Sequence, residues 1–287
     1  MAEIKIAGVM RSGVFSPNHI GNDAAIFNLV ADQLRKRGCE VNIYSEEQFA
    51  SSGVAEDIIV DMCRELRSIE RLERLEDAGA LVINSGYGIE NCIRERMARI
   101  FLGSGVPYPE SFIVDTDEVV KDRLVKAGFT GCWIKRADSH TRHREDVAYA
   151  RHPQEAQEIV QEFFLRGIKR AVINRNIEGE HVKFYGVAGT KFFHWFYPAA
   201  SAQPRHIADR LAGAAHVGFD AAALKELCSR AAELLDVKIY GGDCIIDAAG
   251  QLRIVDFDDW PSFAPCRGEA APVIARMVMN EIKKRNQ

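Results

Sequence analysis

Residues 238–263 run KIYGGDCIIDAAGQLRIVDFDDWPSF, and how they pair decides the fold. Two apolar runs flank Ala248-Ala249-Gly250-Gln251, a small, turn-forming sequence, so a β-hairpin is expected with strands over 240–247 and 252–258. Side chains alternate between strand faces. That groups Ile254, Asp256 and Asp258 on one face of the return strand, and Val255 and Phe257 on an apolar face turned to a core. A turn with an even number of residues centred on Ala249-Gly250 sets Asp243 opposite Asp256, with Cβ atoms about 4.5–5.5 Å apart. An odd turn shifts the register by one and sends Asp243 to the wrong face.

Three carboxylates on one face repel and raise each other's pKa unless a cation neutralises them. Oxygen donors alone select a hard ion, and Mg²⁺ bridging nucleotide phosphates is its usual form. The competing reading is a solvated acidic edge strand. The apolar company of Cys244, Ile245, Ile246, Ile254, Val255, Phe257 and Trp260 favours a buried hairpin.

At 287 residues the chain is long enough for two or three lobes around a sizeable core. With 47% apolar and 27% charged residues it has an ordinary globular composition, and a net charge of −4 gives no argument for nucleic acid or an anionic membrane as partner. No apolar run approaches the roughly 18 residues of a membrane span. The N-terminus carries no signal-peptide core, and none of the 7 cysteines forms a CxxC pair. A cytoplasmic, reduced protein without zinc or a disulfide framework is expected, with oligomerisation left open.

The chain opens with a strand over 4–9, a loop, a helix over 23–37 stopped by Gly38, and a strand over 41–44, the start of a small parallel α/β unit. Residues 54–77 carry Ile58, Met62, Leu66, Ile69, Leu72 and Leu75 at helical spacing, and a third strand is expected over 80–84. Loops at the C-terminal ends of parallel strands bind ligands, which makes Arg11, Ser16, Asn18, Asn22 and Asn84 candidate substrate contacts. Turn and cap chemistry is the competing reading for each of them.

After a helix over 93–102 and a linker stiffened by two prolines come strands over 111–114, 132–135 and 147–150. Between the last two lies the basic loop RADSHTRHRED, a candidate lid over phosphates. A helix over 153–166, a strand over 171–174 and a second hairpin over 181–197 follow, then helices over 206–235 and 269–284. An even turn at Ala188-Gly189 sets Lys183 opposite His194, with Tyr185 on the same face: either a site wall or a half-exposed face.

With these residues in place the chain resembles the ATP-grasp superfamily over roughly residues 1–280. Four stretches carry the likeness: CIRERMARIFLGSGVPYP, resembling the basic set ahead of G-[VI]-P-x-P; GCWIKR, resembling the strand of the phosphate-binding lysine; VINRNIEGEHVKFYGV, resembling the hinge and its following strand; and GGDCIID with RIVDFDDWPSF, resembling the metal-binding hairpin. The resemblance implies an α/β domain over 1–106, a central α+β lobe over 107–175 and a C-terminal α+β lobe over 176–287, with ATP clasped between the two lobes.

It further implies that Lys135 holds the α- and β-phosphates, with Arg94 at the place of the family's first lysine. Asn174, Arg175, Asn176 and Ile177 would form the adenine hinge, mostly through backbone groups. His181 and Lys183 fall at the family's Asp and Arg, Lys183 still able to reach a phosphate. Asp243, Asp256 and Asp258 fall at the ligands of Mg²⁺, implied as two ions.

Two chemistries fit the resemblance. A ligase would activate a small anionic carboxylate substrate as an acyl phosphate for attack by an amine or thiol, with Arg267 holding the carboxylate or acyl phosphate. A kinase would phosphorylate a hydroxyl of a polyol or inositol-phosphate-like acceptor, gripped by His140, Arg142, His143 and Arg144; Asp256-Phe257-Asp258 with Ser262-Phe263 downstream faintly resembles the inositol-phosphate kinase branch. The ligase is the first expectation, on superfamily precedent.

Overall fold

The computed structural model describes residues 4–16, 20–140, 143–198 and 217–287. They form three four-stranded sheets. The first is wholly parallel, in the order β2-β1-β3-β4, from β1 (Ile4–Met10), β2 (Cys39–Ser45), β3 (Ile58–Asp61) and β4 (Leu81–Ile83). Helices α1 (Ile20–Arg35), α2 (Glu46–Ser51) and α3 (Leu66–Asp77) connect its strands. The start of α2 is fixed by a capping box in which Ser45 and Gln48 satisfy each other's backbone N–H groups.

The helical reading of 54–77 is corrected: β3 occupies its first part, and the helix begins only at Leu66. All four residues of Ile58-Ile59-Val60-Asp61 are buried. A parallel strand covered on both faces reads as a continuous apolar run, which periodicity alone does not separate from a helix segment.

Helices α4 (Gly86–Asn91) and α5 (Arg94–Ser104) lead into an antiparallel sheet of β5 (Ser111–Asp115), β6 (Cys132–Arg136), β7 (Val147–Ala150) and β8 (Arg170–Arg175), in the order β5-β8-β6-β7. Helices α6 (Lys121–Lys126) and α7 (Pro153–Leu165) cover it, burying Leu124, Val160 and Phe163 against Ile134 and Ile173.

The third sheet is antiparallel, in the order β10-β9-β11-β12, from β9 (Glu180–Val187), β10 (Phe193–Phe196), β11 (Ile239–Ile246) and β12 (Leu252–Asp259). Helix α8 (Ala221–Leu235) and α5 pack on one face, placing Met97, Phe101, Leu224 and Leu235 in one core with Phe184, Ile254 and Phe257. The last helix, α9 (Arg267–Arg285), returns to α1 and shares a core with the first sheet. The first and third sheets are thereby held together by helices exchanged between them.

In the decisive hairpin Asp243 does face Asp256, but by another route. Ile246 pairs with Leu252, which leaves the five residues 247–251 as the turn, an odd number. Asp247 shapes it by accepting the backbone N–H groups of Ala249 and Gln251, while Gly250 takes φ +76°. The register then slips by one between Asp243 and Cys244, because Val255 is inserted as a β-bulge. The bulge restores the opposition that the odd turn removes.

It also corrects the faces. Ile254 joins Phe257 in the core, whereas Val255 and Asp256 both line the cleft between the second and third sheets. In the other hairpin His194 pairs with Tyr185, and Lys183 with Phe196. The expected Lys183–His194 pair is therefore displaced by two positions, through a longer turn.

Candidate active site

The cleft between the second and third sheets is lined by Trp133, Lys135 and Val147 from one side and by His181, Asp243, Ile245, Val255 and Asp256 from the other. The crossover 174–177 closes its end. Lys135 reaches from β6 across to β12, donating to the Val255 carbonyl at 2.6 Å. Bulging leaves a backbone group outside the regular ladder, and here a lysine takes it up. Burial pulls the Lys135 pKa below its ordinary value, and Asp256 pushes it back up.

Lys183, Asp243 and Asp256 form a row across β9, β11 and β12. Lys183 Nζ lies 2.7 Å and His181 Nε2 2.5 Å from the same Asp243 oxygen. Burial opposes ionisation of Asp243, but these two neighbours hold its carboxyl far below the usual range. Asp256 is bound by Arg94 at 3.1 Å. Burial disfavours its charge too, but Arg94 and Lys135 keep it ionised. Gly242 lets the strands approach: a Cβ there would meet the Asp256 carbonyl oxygen at 2.3 Å.

Asp258 is the open member, 44% exposed. Loss of surrounding water and repulsion by Asp256 push its carboxyl upward, while Arg64 draws it down. Asp259, only 1% exposed, lies between two arginines of the first sheet, with Arg64 at 3.0 Å and Arg11 at 3.4 Å. Glu46 positions both arginine-bearing loops by accepting the N–H groups of Ser12, Arg64 and Glu65. Arg64 and Asp259 were not anticipated. Arg64 follows β3 at the C-terminal end of a parallel strand, a position concealed by the helical reading of that stretch.

The hinge residues line the cleft, but their side chains are committed elsewhere. Asn174 donates to Tyr108 and Ser111, Arg175 pairs with Glu110 at 2.7 Å, and Asn176 accepts from the Trp133 indole. Asn174 Oδ1 is buried in the wall of the cleft without a hydrogen-bond partner among the described residues.

His140 is 7% exposed, its Nε2 has no hydrogen-bond partner among the described residues, and burial together with Arg64 lowers its pKa to about 3. Arg142, Asn18 and the side chain of Arg144 lie outside the described residues. Arg267 donates to Asn22 at 2.5 Å and to the Ser262 carbonyl, outside the cleft lining. Arg11 and Ser16 are both bonded to Asp23. Asn84 bridges sheets, accepting from the N–H groups of Lys238 and Ile239 and donating to the Ile239 carbonyl. Its role is structural, and its candidacy as a substrate contact is withdrawn.

All seven cysteines are free and buried. Among the described residues no three His, Cys, Asp or Glu side chains already form a cation cage. The acids instead face arginines, lysines and a histidine. The donor set is nevertheless all oxygen, with two carboxylates opposed and a third open to solvent, which fits a hard divalent ion that displaces some of these partners.

A parallel α/β sheet followed by two antiparallel sheets that enclose a cleft between a lysine strand and an acidic hairpin is the ATP-grasp fold. Solved structures agree over nearly the whole chain. D-alanine–D-alanine ligase from Bacillus anthracis complexed with ATP aligns with a TM-score of 0.70 at 13% identity, covering 100% of this chain and 99% of that one. A RimK domain ATP-grasp protein from Sphaerobacter thermophilus gives 0.69 at 17% identity, covering 96% and 99%. The ATP-grasp ligase PsnB, complexed with precursor peptide PsnA2 and AMPPNP, gives 0.61 at 15% identity, covering 97% and 98%. No protein-family model and no curated protein matches the sequence. Among the described residues no helix is long and apolar enough to cross a membrane.

Proposed function

We propose that this chain is an ATP- and Mg-dependent ligase that activates a small-molecule carboxylate as an acyl phosphate for attack by an amine or thiol. The observation that carries it is the opposition across one cleft of Lys135 and the Asp243–Asp256 pair, with Asp258 open beside them. Two of the structural neighbours named above are ligases, one complexed with ATP and one with a peptide and AMPPNP. The lobes would divide at 106/107 and 175/176, as the sequence suggests.

In this reading Trp133, Val147 and Ile245 supply apolar walls for the adenine. Asn174 Oδ1, an acceptor buried without a partner among the described residues, suits its amino group, and the backbone at 175–177 completes the hinge. Lys135 and Arg94 hold phosphate oxygens, Lys183 keeps Asp243 ionised, and Arg267, bonded to Asn22 and the Ser262 carbonyl outside the cleft lining, would leave those partners to hold the carboxylate. Asp243, Asp256 and Asp258 would hold Mg²⁺, which screens the oxygens around the transferring phosphoryl group when bound.

The kinase alternative needs a cationic loop gripping a polyphosphorylated acceptor. His140 is buried and kept neutral, which disfavours that role. The test is ADP release across a carboxylate library with hydroxylamine in the mixture. Hydroxamate formation supports the ligase. A stable phosphorylated product without a nucleophile overturns it in favour of the kinase.

A further inference from the structure

Arg64 stands where the acidic hairpin meets the first sheet. Its side chain is 11% exposed and is anchored on Asp259, through Nε at 3.2 Å to one carboxylate oxygen and Nη2 at 3.2 Å to the backbone carbonyl. The same Nη2 also leans on Asp258, at 3.4 Å. The two acids are unlike. Asp259 is buried and has Arg11 as a second cation, whereas Asp258 is largely open and, among the described residues, has Arg64 as its ion-pair partner. Arg64 Nη1 makes no hydrogen bond to the described residues. The guanidinium is therefore fixed at one end and weakly engaged at the other. A divalent ion seeking Asp258 must compete with it, and an anion arriving beside that ion meets a charge already in place.

We propose that Arg64 is a resident counter-ion of Asp258 which a divalent cation displaces, and whose freed guanidinium edge then binds the terminal phosphoryl group of the nucleotide. Arg64 is thus a further catalytic residue, supplied to the cleft by the first sheet and not by either sheet that lines it. This couples metal capture to phosphate capture, because the cation that leaves one anion serves another nearby. The inference rests on the assignment of Mg²⁺ and ATP to this cleft.

The two effects of Arg64 on ligands have opposite signs, which makes them separable from a structural defect. A unit positive charge several ångströms from a metal site, at an effective dielectric near 20, changes affinity by about tenfold or more. Arg64→Met keeps the aliphatic packing and leaves Asp259 paired with Arg11, so the fold is expected to persist. Calorimetry on the whole chain should show Mg²⁺ alone binding about tenfold more tightly to Arg64→Met than to the wild type. Mg·AMPPNP should bind about tenfold more weakly, whereas Mg·ADP, which brings the metal without the terminal phosphoryl group, should follow Mg²⁺ alone and bind more tightly, with Arg64→Lys between wild type and Arg64→Met for each ligand. If Mg²⁺ and both nucleotides all weaken together, or Mg²⁺ affinity does not change while the wild type binds normally, the inference is overturned. If the wild type itself takes up neither Mg²⁺ nor AMPPNP, the assignment of the cleft falls first and this inference with it.

Discussion

The Lys135 ammonium donates to the carbonyl oxygen of Val255 at 2.6 Å, so a lysine on the second sheet is bonded to the bulged residue of the acidic hairpin in the third. That bond closes the cleft from both sides. It also holds a cation beside Asp256, where under the proposed function phosphate oxygens would replace the carbonyl. A buried ammonium close to its own replacement ligand is organised for anion binding without further rearrangement.

Replacing Lys135 by Met should therefore remove nucleotide affinity more than it harms the fold. Loss of one preorganised phosphate donor costs about 10²–10³ in turnover in comparable sites. Steady-state ADP release should fall by about that factor, while the thermal midpoint shifts little. Arg should not rescue it, because a planar fork cannot replace a compact ammonium aimed at one carbonyl.

Asp256→Asn tests the acidic row. Arg94 then loses its 3.1 Å partner and Lys135 the negative charge that most favours its protonation. Breaking a buried pair from one side costs about 3 kcal/mol or more, visible as a lower urea midpoint. Under the ligase reading, Mg-dependent ATP turnover should be abolished, and full activity in this variant would remove Asp256 from the metal set.

The neutral imidazole of His140 predicts a pH signature. Its folded pKa of about 3 lies below the ordinary imidazole value of 6.5, so the unfolded chain binds the extra proton between those values. Its contribution to stability is then complete above pH 6.5 and declines as pH falls toward 3. Between about pH 7.5 and 5.5 the wild type should lose about 1 kcal/mol more than His140→Gln, read from urea midpoints at the two pH values. Equal losses would show that His140 is protonated in the folded protein.

Asn84→Ala should damage the join between the first and third sheets. The side chain satisfies two backbone N–H groups and one carbonyl at the start of β11. Leaving buried backbone groups unsatisfied costs about 1–3 kcal/mol. Guanidinium unfolding should register that loss, and Asp at this position should not restore the donor to the Ile239 carbonyl.

Much of the architecture was legible from local pattern. Alternation and turn residues located the hairpin of β11 and β12, and Cys132-Trp133-Ile134-Lys135 marked its strand because both signals are carried by neighbouring residues. Asp243 opposite Asp256 was also anticipated, though through the wrong turn: an odd loop and a bulge at Val255 together give the same pairing as an even loop. Side-chain alternation cannot announce a bulge, which is stabilised by groups far along the chain, here Lys135 on the Val255 carbonyl and Pro107 accepting the Ile254 N–H.

What the sequence by itself determined is the set of elements and the candidate charges, since period-two and helical spacing follow from backbone geometry alone. What only the tertiary structure decided is which charge meets which. Arg64 and Arg11 reach Asp259 across 195 and 248 positions of chain. Asn84 left the substrate candidates for a backbone join, and His140 lost its charge to burial. Coulomb energy and desolvation depend on distance through space, and residues near in space here are remote in sequence.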